Sequence, residues 1–125
     1  MKSILITVVA IFVGVMVACG GGGLQFAGAQ DVVNSFDEFD FKDCEVMFYQ
    51  MVGATSGLSC SVSQSEHGRV EVYAYDGDAE TLCKKLEFCK EANQWGGIQV
   101  FSENVMLMVY DDMDLANSLI DDLQQ

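Results

Sequence analysis

One six-residue stretch limits this chain more than any other: Val105-Met106-Leu107-Met108-Val109-Tyr110, a strand pattern in which neither side is polar. An earlier stretch, Val70-Glu71-Val72-Tyr73-Ala74-Tyr75, repeats the arrangement with one acid in it. Side chains alternate across a strand, so a sheet holding both stretches has two apolar faces. Val70, Val72, Val105, Leu107 and Val109 form one, suited to packing under helices. Tyr73, Tyr75, Phe101, Met106, Met108 and Tyr110 form the other. Apolar patches above a few hundred Å² meet something, within the molecule or outside it. Inside the chain, the Phe36, Phe39, Phe41 segment or the C-terminal helix are the candidate covers. Left open, the same face would bind a protein or an apolar ligand, because Tyr, Phe and Met supply adaptable contact area with few polar demands.

The remaining pattern places these strands in hairpins. Leu58, Cys60 and Val62 alternate with serines ahead of the polar stretch 64–68, and Ile98, Val100 and Ser102 alternate with Gln99 and Phe101 ahead of a Glu103-Asn104 turn. Cys44, Met47, Phe48 and Met51 recur at helical spacing, predicting a helix over 42–52. Asp78 caps a second helix that runs to about Asn93 with Leu82, Cys83, Leu86 and Cys89 on its buried stripe. Residues 111–123 read as a C-terminal helix with acids in its first turn. Between Asp31 and Phe41 a short helix and a docked extended segment fit equally well. The expected fold is α+β: a mostly antiparallel four-stranded sheet with helices on one face, built as a duplicated αββ unit plus a C-terminal helix. Tyr75-Asp76-Gly77-Asp78 and Tyr110-Asp111-Asp112 are the letters that echo between the two halves.

The chain has five cysteines, and Cys44, Cys60, Cys83 and Cys89 belong to the domain. Four cysteines allow three pairings. If Cys83 and Cys89 share one helix, about 9 Å of rise separates them, beyond the usual disulfide reach. Antiparallel helices would instead bring Cys44 to Cys89 and Cys60 to Cys83. The spacing is not the C-x-x-C of a redox-active pair, so the expected bonds are structural.

The N-terminus carries Met1 and Lys2 and then a 15-residue run, Ile4 to Ala18, that is apolar but for Thr7 and Gly14. A membrane span needs about 20 apolar residues, so the run reads as a signal peptide. Met16-Val17-Ala18-Cys19 resembles the lipobox of bacterial lipoproteins, with Met16 where leucine is usual. That resemblance implies cleavage before Cys19, acyl chains on its thiol and its new amine, and an outer-membrane destination in a Gram-negative cell, since Gly20 stands where Asp would signal inner-membrane retention. A competing A-x-A box, Ala27-Gly28-Ala29, would release a freely secreted domain starting at Gln30. The organisation expected from the lipobox is a signal over 1–18, a lipidated cysteine and glycine-rich linker over 19–30, and one domain over 31–125.

Charge narrows the partners. With 6 Lys and Arg against 19 Asp and Glu the net charge is −13, which repels phosphate backbones and excludes nucleic acid. Lys84, Lys85 and Lys90 concentrate on the second helix as a solvated face or a site for an acidic partner. His67, the only histidine, lies in a polar loop beside Ser65 and Glu66, where adjacency in sequence does not orient a base toward a nucleophile. Asp76, Asp78 and Glu80, and Asp111, Asp112 and Asp114, sit at helix starts, where carboxylates cap; neither set has a calcium loop. No catalytic constellation, metal site or cofactor motif is expected. The functional expectation is a membrane-tethered, non-enzymatic interaction or ligand-binding domain of the bacterial cell envelope, held by acyl chains on Cys19 and meeting an envelope protein or apolar ligand. A purely structural envelope lipoprotein is the alternative, and it requires the second sheet face to be covered.

Overall fold

The computed structural model describes residues 26–62 and 69–123. Within them the order is α1 (Ala29–Ser35), β1 (Phe41–Val46), a 3₁₀ turn (Tyr49–Val52), β2 (Ser56–Val62), β3 (Arg69–Ala74), α2 (Ala79–Cys83), α3 (Glu87–Glu91), a second 3₁₀ turn (Ala92–Trp95), β4 (Gly97–Ser102), β5 (Val105–Tyr110) and α4 (Met113–Leu123). The class is α+β, as the alternation predicts. The sheet has five strands rather than four, in the order β1-β2-β3-β5-β4, every neighbouring pair antiparallel.

Helices cover both faces, not one. On the first face α1 and α4 bury Val32, Ala116, Leu119 and Leu123 against Val70, Val72, Val105, Leu107 and Val109. On the second, α2, α3 and the 3₁₀ turns bury Val52, Ala79, Cys83, Cys89 and Ala92 against Tyr73, Tyr75, Met106 and Met108. Two covered faces are what a strand apolar on both sides requires.

The extra strand is β1, which replaces the first part of the helix expected over 42–52. Helical spacing there has no buried face to act on: of Cys44, Met47, Phe48 and Met51 only Met47 packs inward, and the other three are exposed. Phe41 to Val46 pairs with β2 as an edge strand, with a register shift between Lys42 and Glu45 where Asp43 takes a φ of 53°. Arg69 crosses β2 to secure this bulge: its guanidinium donates to Ser59 Oγ (2.9 Å), Ser61 Oγ (3.2 Å) and the carbonyls of Ser59 and Asp43.

The second expected helix is also broken. α2 ends at Cys83 and α3 begins at Glu87, with Leu86 extended between them at φ −106°, ψ 142°. This break overturns the expected disulfides. Cys83 and Cys89 are bonded to each other with 5.7 Å between their Cα atoms, and Cys44 is bonded to Cys60 on the adjacent strand. A continuous helix would hold Cys83 and Cys89 too far apart; the extended step at Leu86 shortens the path.

The hairpins repeat, but the long helices do not. Each hairpin follows a 3₁₀ turn closed by a left-handed glycine, Gly53 at φ 81° and Gly96 at φ 85°. Where β3 meets β5, Val72 pairs with Leu107, Glu71 with Met108 and Tyr73 with Met106, so Tyr75 and Tyr110 fall at equivalent places about that junction. After Tyr75 the chain turns onto the second face as α2, and after Tyr110 onto the first as α4.

The domain also begins earlier than the expected boundary at Asp31. Phe26 N–H donates to Asn104 Oδ1 (3.1 Å), Asn104 Nδ2 donates back to Phe26 O (2.8 Å) and to Tyr75 O (3.1 Å), and Ala29, fully buried, donates its N–H to Ser56 Oγ (2.9 Å). These contacts put the start of the described chain at one end of the sheet, where β1, β3 and β4 finish and β2 and β5 start. We call this the proximal end. Phe41, Val62, Arg69, Gly97 and Tyr110 mark the distal end.

Candidate functional site: a lysine-lined groove beside strand β4

Of the six residues expected to form a binding face, four lie in the interior. Tyr73 and Tyr75 are 2% exposed, and Met106 and Met108 are fully buried. The cover is neither the Phe36, Phe39, Phe41 segment nor the C-terminal helix but the disulfide-clamped α2–α3 stretch. Phe36 and Phe41 instead stack on each other, ring centroids 4.9 Å apart, at the margin of the first face. Packing accounts for the choice of residues. Gly57 lies opposite Tyr73, and a Cβ there would come within 2.8 Å of the Tyr73 ring, so only glycine admits the aromatic cross-strand contact. The Tyr75 hydroxyl donates to Val52 O at 2.7 Å, satisfying its polar tip inside the core.

Phe101 and Tyr110 remain at the rim. Lys84 Nζ sits 5.6 Å from the Phe101 ring centroid, a cation–π distance. Tyr110 stacks on Trp95 at 6.3 Å between centroids, and Phe88 meets Trp95 at 5.1 Å with its ring tilted 60° to it, so the lone tryptophan is held by two rings. The hydroxyls of Tyr73 and Tyr110 donate to the two oxygens of Glu71, at 2.7 and 2.9 Å. Burial pushes the phenols of Tyr73, Tyr75 and Tyr110 well above the ordinary tyrosine range, and the Glu71 carboxylate pushes Tyr73 and Tyr110 further. This network is satisfied within the molecule.

The acidic helix starts act as caps. Asp78 Oδ2 accepts from Thr81 N (2.9 Å) and Thr81 Oγ1 (2.7 Å), which holds its carboxyl below the usual range, and Asp112 Oδ1 accepts from Leu115 N (3.0 Å). No cluster of three metal-ligating side chains occurs among the described residues. His67 and Cys19 lie outside the described residues.

What sequence reasoning reached only in part is the role of the lysines. Lys84 follows α2 and Lys90 sits on α3, and the break at Leu86 turns both toward one groove along the open edge of β4. The groove encloses about 460 Å³, and Asn93, Gln99, Ile98 and Met113 complete its lining. That volume is in the range of small-molecule sites. Gly97 lets the second 3₁₀ turn approach the start of β4: a Cβ there would stand 3.0 Å from Ala92 O and 3.1 Å from Met108 Sδ. Gln99 Nε2 donates to Cys89 O at 3.2 Å, tying the groove floor to the clamped loop.

Among the described residues, the groove is where this acidic molecule gathers lysines without an ion-pair partner. Among the described residues the single ion pair joins Lys42 to Asp40, and Arg69 is occupied by β1 and β2. Lys84, Lys85 and Lys90 have no acid within ion-pair distance among the described residues. The signal was present in the sequence as a cluster of three lysines, but a continuous helix would have spread them around a solvated face. Compared with known proteins, the chain matches no family model, no curated protein and no solved structure.

Proposed function

We propose that this chain is a membrane-tethered, non-enzymatic ligand-binding domain of the bacterial cell envelope, and that the groove beside β4 takes an organic anion. The observation that carries the reading is the convergence of Lys84 and Lys90 on one cavity in a chain with 19 acids. Two amines would hold a carboxylate or phosphate head, while Ile98 and Met113 would meet an apolar part of the same molecule. The ligand is therefore amphipathic and small, and it replaces the apolar partner expected from the sheet face.

Two observations support the setting. Both disulfides fit an oxidising, extracytoplasmic space. Cleavage at the A-x-A box would remove Phe26 and Ala29, which are packed and hydrogen-bonded in the domain, whereas cleavage before Cys19 keeps them. No helix among the described residues is long and apolar enough to cross a membrane, so attachment in this reading rests on acyl chains.

A titration of the protein with octanoate, followed by the Met113 methyl and β4 amide resonances, tests the groove. Saturable shifts that disappear in the K84Q/K90Q double variant are expected, with weaker shifts for inorganic phosphate alone. Shifts that survive in the double variant, or none at all, would sink the reading. The burial of the second sheet face favours one other function, a structural envelope lipoprotein without a ligand, and absent shifts would leave that reading standing.

A further inference from the structure

The least expected surface of the molecule is at its proximal end. Three large apolar side chains within six residues are open to solvent: Val46 is 77% exposed, Phe48 80% and Met51 52%. Their neighbours Met47 and Tyr49 pack inward on the second core, so the stretch is held in place while its apolar tips point out. The Met47 N–H donates to Gly57 O at 3.1 Å, and Gly53 and Ala54 donate back to Gln50 and Tyr49 carbonyls at 3.1 Å each, closing the turn. A fixed turn presenting a phenylalanine needs a cause that core packing does not provide.

We infer that Val46, Phe48 and Met51 form the surface by which the tethered domain rests on the lipid bilayer. The inference rests on the lipid-anchor reading of Cys19. Where the described chain starts decides the occupant. Phe26 is fastened to Asn104, which is itself bonded to Tyr75 O, at the proximal end, which is also where β1 ends at Val46. Six residues lie between Cys19 and Phe26, seven Cα steps in all. As a coil they average about 15 Å, less than the roughly 30 Å width of a small domain. An acylated Cys19 therefore holds the proximal end nearest the membrane, and the distal end reaches the bilayer only with the tether drawn out almost fully, to about 25 Å. The apolar tips enter the headgroup boundary, and the groove at Lys90, Asn93 and Gly97 faces away, about 20 Å further out along six-residue strands.

Charge specifies the lipid. The exposed acids Asp76, Asp78 and Glu103 share the proximal end, and among the described residues no lysine cluster lies there to draw in anionic headgroups. The matching surface is a zwitterionic one, entered through apolar side chains rather than by charge.

The test uses the mature protein purified from membranes after expression of the full chain, its acylation read by intact mass, then reconstituted in brominated phosphatidylcholine vesicles. Trp95, the only native tryptophan, lies at the distal end and should keep its emission. The F48W variant, with Trp95 retained, should lose about half of its emission, since interfacial side chains enter roughly 5–10 Å. V46W should behave alike, which guards against a misfolded F48W, and phosphatidylglycerol in the vesicles should reduce both losses. Unquenched F48W and V46W in an acylated, folded protein would overturn the contact and leave the anchor intact. Emission that instead tracks protein density would assign the surface to a second copy and overturn the bilayer contact. An unacylated mass would overturn the anchor and the contact together.

Discussion

Tyr73 and Met108 show how a residue type that advertises binding can be spent on the core. Both rings and thioethers fill space under α2 and α3, and Gly57 is kept bare so that Tyr73 can lie across it. Replacing Met108 with Gln leaves an amide buried without a partner, and Tyr73 to Ser opens a cavity; each should lower unfolding free energy by about 3 kcal/mol in urea titrations. A free binding face would tolerate both changes. Alkaline pH makes a separate demand on Tyr73, Tyr75 and Tyr110, whose phenols are raised by burial. A group raised in the folded state contributes stability that is complete below its unfolded pKa, about 10, and is lost as pH climbs above it. Phenolate absorbance from the buried Tyr73 and Tyr75 should therefore appear together with loss of structure in an alkaline titration, not before it. Phenolates of these two forming in a still-folded protein would show that the rings are wetter than their burial implies.

At the level of elements, the hairpins and the C-terminal helix were legible because alternation and helical periodicity there act on real buried faces. β2, β3, β4 and β5 coincide with the alternating runs, and α4 with the stripe through Ala116, Leu119 and Leu123. The pattern misled where covalent bonds and edges govern. Cys44 counted as a helical apolar residue, yet it is an edge-strand cysteine bonded across to Cys60. Leu86 and Phe88, two residues apart and both partly buried, were the sequence sign that no single helical stripe runs through 79–93. The site suffered from the same misreading, since the groove exists only because the chain breaks between Lys84 and Lys90. Peptide mapping of the unreduced protein should find Cys44 joined to Cys60 and Cys83 to Cys89. Loop-closure entropy gives roughly 3 kcal/mol for the first bond, closing 16 residues, and roughly 2 kcal/mol for the second, closing 6. C83S/C89S should also loosen the cover over Met108, so hydrogen exchange in β5 should accelerate more than the small stability loss alone explains. Slow exchange in that variant would mean that α2 and α3 hold their places without the clamp.

Across the whole molecule, the two ends of the sheet divide the work: the proximal end receives the N-terminal segment and the distal end opens the groove. This division makes the point of cleavage a question of stability as well as of location. A chain starting at Gln30 lacks Phe26 and Ala29, so Asn104, only 2% exposed, keeps its bond to Tyr75 O but loses both bonds to Phe26. Ser56 loses the Ala29 N–H, and the first face loses an apolar ring and a fully buried methyl. A buried amide left short of partners costs about 1–3 kcal/mol, and the lost burial adds a comparable amount. Truncation to Gln30 should therefore lower the melting temperature by about 10 °C or more for a domain of this size, whereas a chain starting at Gly20 should match the intact domain. Differential scanning calorimetry of the two forms decides it. Equal melting temperatures would mean that Phe26 and Ala29 add little, and the A-x-A site would regain its standing as the place where the mature protein begins.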